Sequence, residues 1–248
     1  MNSKPRLEAW SYSRWSLYQQ CPARAKYKHI DKLPEPDGAA SARGTAFHFL
    51  AEELVSGAVY AKPEARNAAE PFRKEFNEVA LPNFKKDFTT LKRMKAETEA
   101  EWAFTSSWEP AGWFDRGEFA AWCRIKVDAV YRDKKRDALV IVDYKTGKIR
   151  EEEHATQLTL YTLGGIIQTA YAEQLAQPKN IISELWYLDH GKKATQKMEV
   201  TQENFDELKK EWGRKTKAML KDTRFPARPG YYCRYCPYSK AQGGPCKF

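Results

Sequence analysis

The chain has little cysteine, little histidine and no long apolar run. Five cysteines among 248 residues, unevenly placed, are too few for a disulfide scaffold of this length. No stretch approaches the roughly 20 apolar residues of a membrane span. The first residues, MNSKPRLEAWSYS, lack the apolar centre of a signal peptide. A cytoplasmic protein (bacterial, archaeal or in a phage-infected cell) without a membrane partner is therefore expected. There is no GxxxxGK[ST] phosphate loop, so no helicase motor is expected within the chain. A serine nucleophile elbow, an HExxH helix, internal repeats and low-complexity tracts are also absent. What is present is positive charge. Lys and Arg number 42 against 33 Asp and Glu, a formal charge of +9, which suits a polyanion such as nucleic acid. The length allows a substantial core in one domain.

The most informative stretch runs from Cys123 to Lys145. Two β-prone segments, Cys123 to Tyr131 and Leu139 to Tyr144, flank a charged link, Arg132 to Asp137, and predict a hairpin. Alternation puts Arg124, Lys126 and Asp128 on one face of the first strand. Asp143 and Lys145 share a face of the second, with Tyr144 opposite. A turn centred near Lys135 brings Asp128 beside Asp143, within one register step. Two clustered carboxylates repel, and a divalent cation relieves that repulsion. Lys145 would then act on a bound water or on the charge of a pentavalent phosphorus. On the hairpin alone, a solvent-facing Asp143–Lys145 ion pair accounts for the residues equally well.

Around the hairpin, Ser11 or Ser13 caps a short helix that Cys21-Pro22 ends, with a second helix to about His29. Leu33 to Ser41 reads as a loop and Arg43 to Ser56 as a helix, with His48 beside its apolar side. Residues 62 to 95 read as charged helix. Lys85, Lys86, Lys92, Arg93 and Lys95 form either a solvated face or a wall that meets phosphates. Ala96 to Phe104 is the first strand. Its glutamates 97, 99 and 101 are expected on an exposed face, with metal binding by one of them as the alternative. Trp108, Trp113, Phe114, Phe119 and Trp122 are expected in the core. A helix from Glu151 to Ala170 places Gln157 and Tyr161 on one face. Strands Ile181 to Leu188 and Thr195 to Val200 follow, then a basic helix from Glu203 to Lys221. The tail, Phe225 to Phe248, is poor in core-forming periodicity, and Cys233, Cys236 and Cys246 fall within 14 residues of it. Metal ligation would supply the missing order.

Asp128 followed by Asp143-Tyr144-Lys145 resembles the PD-(D/E)xK nuclease superfamily, most closely its RecB-like branch. That branch includes the CRISPR-associated spacer-acquisition nucleases and the AddB-type iron–sulfur nucleases. Ser11-Tyr12-Ser13-Arg14 leading to Cys21-Pro22, Arg43-Gly44-Thr45-Ala46-Phe47-His48, Gln157 to Tyr161 and the C-terminal cysteines match in family order. The resemblance implies a restriction-endonuclease-like α/β fold. A central mixed sheet is flanked by helices, with an N-terminal helical region (1–95), a catalytic part (96–222) and a small cysteine-cluster lobe (223–248), all in one domain.

The resemblance also implies a metal-dependent DNA exonuclease acting on single strands or ends. Asp128, Asp143 and Lys145 would be catalytic. His48, Asp128, Asp143 and the backbone carbonyl of Tyr144 would hold Mg²⁺ or Mn²⁺, and Gln157 and Tyr161 would contact DNA. Imidazole suits Mn²⁺ better than Mg²⁺, so Mn²⁺ should support activity at least as well. Cys21, Cys233, Cys236 and Cys246 would hold a four-iron four-sulfur cluster; four thiolates around Zn²⁺ are the alternative. Cys123 is left for the core. Recombination, end processing and spacer acquisition are the implied settings, and a separate helicase, recombinase or integrase is the implied partner. A catalytically inactive nucleic-acid-binding module on the same fold, or a redox sensor, is the competing expectation.

Overall fold

A computed structural model of the chain describes residues 5–36, 38–57, 62–172 and 177–248. Helices come first: α1 (Tyr12–Gln20), α2 (Pro22–His29), α3 (Ala39–Ser56), α4 (Pro63–Ala69) and α5 (Arg73–Arg93). Ser11 caps α1, its hydroxyl accepting from the Arg14 amide, and Pro22 opens α2 at the position where no N–H is needed. α3 starts at Ala39, four residues before the expected Arg43, because Ala39 to Ala42 contain no breaker once past Gly38. Asp37, part of the expected loop, lies outside the described residues.

The remaining elements are β1 (Glu97–Phe104), β2 (Pro110–Ala111), β3 (Cys123–Asp133), β4 (Ala138–Lys145), α6 (Glu151–Ala170), β5 (Asn180–Tyr187), β6 (Gln196–Thr201) and α7 (Phe205–Lys221). The six strands form one sheet in the order β2-β1-β3-β4-β5-β6. Only β4 and β5 run parallel, joined through α6; the other pairs are antiparallel. This is the expected mixed sheet of a restriction-endonuclease-like fold. No helix among the described residues is long and apolar enough to cross a membrane.

Helices cover both faces of the sheet, each over its own core. On one face α3 and α5 bring Phe47, Phe76, Phe84 and Phe88 against Tyr144 and Trp186. On the other, α6 and α7 pack Leu160 and Trp212, together with Trp10 just before α1, against Ile125 and Ile141. Trp10 and Trp212 are fully buried and stack with ring centroids 5.5 Å apart. The charged stretch expected over 62–95 is therefore two-sided. Lys85, Lys86, Lys92, Arg93 and Lys95 are exposed, while α5 buries five side chains. Pro82 lies within α5, and Phe84 just beyond it leaves helical geometry (φ −128°, ψ 17°). The aromatic run also splits. Trp108 and Trp122 join the core around Trp10, whereas Phe114 (79 %) and Phe119 (65 %) are exposed.

α6 approaches the sheet through Gly164 and Gly165. A Cβ at Gly165 would come within 2.7 Å of Ile141 Cδ1 and 2.9 Å of Ile181 Cγ2. The second contact is a methyl fixed on a β-branched carbon and cannot swing away. Gly165→Ala is therefore expected to destabilise by about 1–2 kcal/mol, overpacking outweighing the gain in helix propensity. Thermal unfolding checks this, and an unchanged or raised Tm would contradict it.

Candidate active site

β3 and β4 pair from Asp133↔Ala138 up to Ala129↔Val142 and then part. Beyond that point β3 continues along β1, through Val127 to Cys123, and β4 continues along β5 to Lys145. Asp128 and Asp143 are the first residues past the last pair, one at each side of the fork. The expected register thus places them together, at an opening in the sheet and not inside a ladder.

Each carboxylate is held by a different layer. Asp128 is reached from α3: His48 Nδ1 lies 2.8 Å from its Oδ1. Its Oδ2 accepts the Tyr144 amide N–H at 2.5 Å. Asp143 is reached from α6: Tyr161 OH donates to its Oδ1 at 2.7 Å, and Gln157 Nε2 donates to Tyr161 OH at 2.5 Å. Lys145 Nζ stands 2.6 Å from Asp143 Oδ2, an oxygen that is buried and accepts no well-formed hydrogen bond. Tyr144 faces the opposite core. What the structure ties to Asp128 from Tyr144 is the amide N–H.

Glu99 completes the cluster. Ligand atoms of His48, Glu99 and Asp128 all lie within 4.8 Å of one another. Thr98 pairs with Ala129 and Ala100 with Val127, so Glu99 stands opposite Asp128 and is skipped in the ladder. Its φ of 56° is left-handed, a conformation that costs a non-glycine residue of the order of 1 kcal/mol or more. The exposed acidic face expected for β1 is thereby corrected. Glu97 and Glu101 are exposed, and Glu99 turns in, paired with Lys126 at 2.5 Å. The alternation of glutamates in the sequence was the available signal; the backbone reversal that selects one of them was not.

Electrostatics follow from this crowding. Burial raises the Asp128 carboxyl above its ordinary range; His48 opposes the rise and Asp143 adds to it. Burial alone would depress His48, but the Asp128 carboxylate outweighs it and holds the imidazole up at about 9. Burial and the neighbouring Asp143 push the Tyr161 phenol well up, so it stays a donor. Two buried carboxylates and a third nearby, with one oxygen lacking a well-formed hydrogen bond, are a donor set that fits a hard divalent cation. A clasp pins the turn after Lys145. The Arg43 fork grips Asp189 (2.6 and 3.1 Å), Asp189 Oδ2 accepts the Gly147 amide at 2.6 Å, and His190 Nε2 lies 2.7 Å from Gly147 O.

The five cysteines fall into two environments. Cys123 is fully buried in the core, and burial raises its thiol well up. Cys21, Cys233, Cys236 and Cys246 are half-buried and line one small cavity. The Arg228 and Gly230 amides point at the sulfurs of Cys21 (3.5 Å) and Cys233 (3.4 Å). Amide donors on sulfur fit thiolate ligation.

A family model described as the PD-(D/E)XK nuclease superfamily matches residues 9–241. Among curated proteins none matches the chain. A solved structure described as "Crystal structure of SSO0001" aligns with 100 % of this chain and 91 % of its own, at 14 % identity and a TM-score of 0.39.

Proposed function

Because the chain belongs to the PD-(D/E)XK nuclease superfamily, we propose that it is a deoxyribonuclease of the RecB-like branch, an exonuclease acting on single strands or DNA ends with Mg²⁺ or Mn²⁺. The observation that carries this reading is the fork itself, with Asp128 and Asp143 at its two sides and Lys145 against Asp143. Asp128, Asp143, His48 and the Tyr144 carbonyl would hold the ion, and Glu99 joins them. The ion, when bound, lowers the pKa of a water and stabilises charge on the scissile phosphate. Lys145 orients the nucleophile. Gln157 and Tyr161 fix Asp143 and flank the strand. Cleavage of end-labelled single-stranded DNA in Mn²⁺, Mg²⁺ and EDTA tests the reading. Metal-dependent laddering from one end supports it. Binding with no cleavage in any metal would leave a binding module.

His48 gives the site a preference. His48→Ala is expected to raise the Mn²⁺ concentration for half-maximal cleavage about tenfold or more and to change the Mg²⁺ requirement less. Metal titrations of the rate decide it; equal shifts for both ions would remove His48 from the ligand set.

The cysteine cavity would hold a structural four-iron four-sulfur cluster in a DNA-facing lobe. Zinc held by the same four thiolates is the second reading.

A further inference from the structure

A pocket of about 380 Å³ opens beside the carboxylates, between the start of α1 and β3. Ser11, Ser13, Arg14, Trp113, Arg124 and Tyr161 line it. Tyr161 belongs also to the fork, through its bond to Asp143. Lys126 forms part of the same wall and reaches the metal cluster through Glu99.

Its two guanidiniums are close enough for their charges to repel. Among the described residues neither Arg14 nor Arg124 forms an ion pair with a carboxylate. Arg14 spends Nη1 on the Ala9 carbonyl at 2.6 Å. Arg124 lies over the Trp113 ring at 5.5 Å, and its Nε is buried with no partner. Burial lowers the basicity of Arg14, and the neighbouring Arg124 lowers it further. Like charges in a half-buried hollow, with a donor unsatisfied, cost free energy that an anion would recover. The α1 N-terminus at the rim adds a further preference for negative charge.

We propose that this pocket is a phosphate subsite for the nucleic-acid strand. The Arg14 and Arg124 forks clasp one phosphate, and the Trp113 ring is available to the adjoining base. The inference rests on the nuclease reading for its ligand and deepens it. It gives the strand a fixed point next to Tyr161, so that a neighbouring phosphodiester lies over the fork. The phosphate has two possible sources, a strand terminus or an internal phosphodiester, recognised by the same chemistry.

The test is fluorescence anisotropy of labelled single strands in EDTA, where no cleavage occurs. Arg124→Gln and, separately, Arg14→Gln are expected to weaken binding about tenfold and to reduce the slope of log K against log salt by about 0.7. Arg124→Lys should restore the salt slope and only part of the affinity. A wild-type arm needs no variant. One neutral methylphosphonate is moved along the strand, and a single position should cost about tenfold, a loss that disappears in Arg124→Gln. Strands ending in 5′-phosphate, 3′-phosphate or hydroxyl separate the sources. An effect confined to one phosphorylated end assigns a terminal phosphate, and an effect independent of the ends assigns an internal one. A flat methylphosphonate profile together with no dependence on end phosphorylation, or affinity and slope unchanged in both variants, overturns the subsite. A protein that cleaves with neither dependence loses the subsite and keeps the nuclease reading; one that shows either dependence and never cleaves does the reverse.

Discussion

Asp143→Ala is expected to abolish cleavage, with a loss of about three orders of magnitude or more, while strand binding is retained or improves. The size of the effect follows from the position. Asp143 sits at the fork, 4 % exposed, with one oxygen on Tyr161 and the other against Lys145. Removing it deletes a ligand of the proposed ion and releases Lys145 from its partner. Nearby groups cannot replace it, since Asp128 is already engaged by His48 and the Tyr144 amide. Binding should survive because the variant removes negative charge beside an approaching phosphate. Single-turnover cleavage and anisotropy on the same strand check both halves. Residual cleavage above about one tenth of wild type would exclude Asp143 as an essential ligand, and binding lost together with cleavage would point to a folding defect.

Tyr161 sharpens the same result. Tyr161→Phe keeps the ring in the core and deletes only the hydroxyl that connects Asp143 to Gln157. It therefore separates orientation of the carboxylate from its presence, and its effect should be far smaller than that of Asp143→Ala.

How much of this was legible in the chain depends on periodicity. The hairpin, α6 and the paired strands after it could be read because their apolar alternation is regular and their turns are marked by charged or glycine-containing stretches. Asp128 beside Asp143 followed from counting back from a turn near Lys135. The parting of the strands at that point did not, because it depends on β1 and β5 each claiming one strand. Glu99 could be named only as one of three candidates, for a related reason. Three alternating glutamates look alike in sequence, and only a left-handed backbone at one of them turns it inward. The Arg43–Asp189 clasp joins residues 146 apart in sequence, and no local pattern announces such a pair. The phosphate pocket was hidden in the same way. Arg14 and Arg124 become neighbours only because the Trp10 backbone docks on β3, its carbonyl accepting from the Arg124 amide.

Cys21→Ala is expected to remove the proposed cluster and free the C-terminal tail, lowering Tm by about 10 °C or more. Cys21 lies between α1 and α2, and the other three proposed ligands lie within the last 16 residues. A cluster held by all four would join segments about 200 residues apart in the chain. Cys246 is brought back toward Cys236 by a tight reversal. Its amide donates to Tyr238 O at 2.9 Å, and a Cβ at Gly244 would overlap the Tyr238 backbone. Contacts independent of the sulfurs limit the damage. Tyr18 OH donates to Asp222, the Arg228 guanidinium to Gln19 O and Tyr238 OH to Leu33 O. The sheet should therefore stay folded, while proteolysis becomes rapid after Phe225. Cys123→Ala is the internal control. It deletes a thiol from the opposite environment, fully buried at the start of β3 beside Trp10, and should cost packing energy without changing metal content. Iron, acid-labile sulfide and zinc analysis of anaerobically purified protein reads the result. Iron and sulfide lost in Cys21→Ala and retained in Cys123→Ala is the expected outcome. Stoichiometric zinc in colourless protein would replace the cluster by a zinc site, and no metal in either protein would leave the tail to its hydrogen bonds alone.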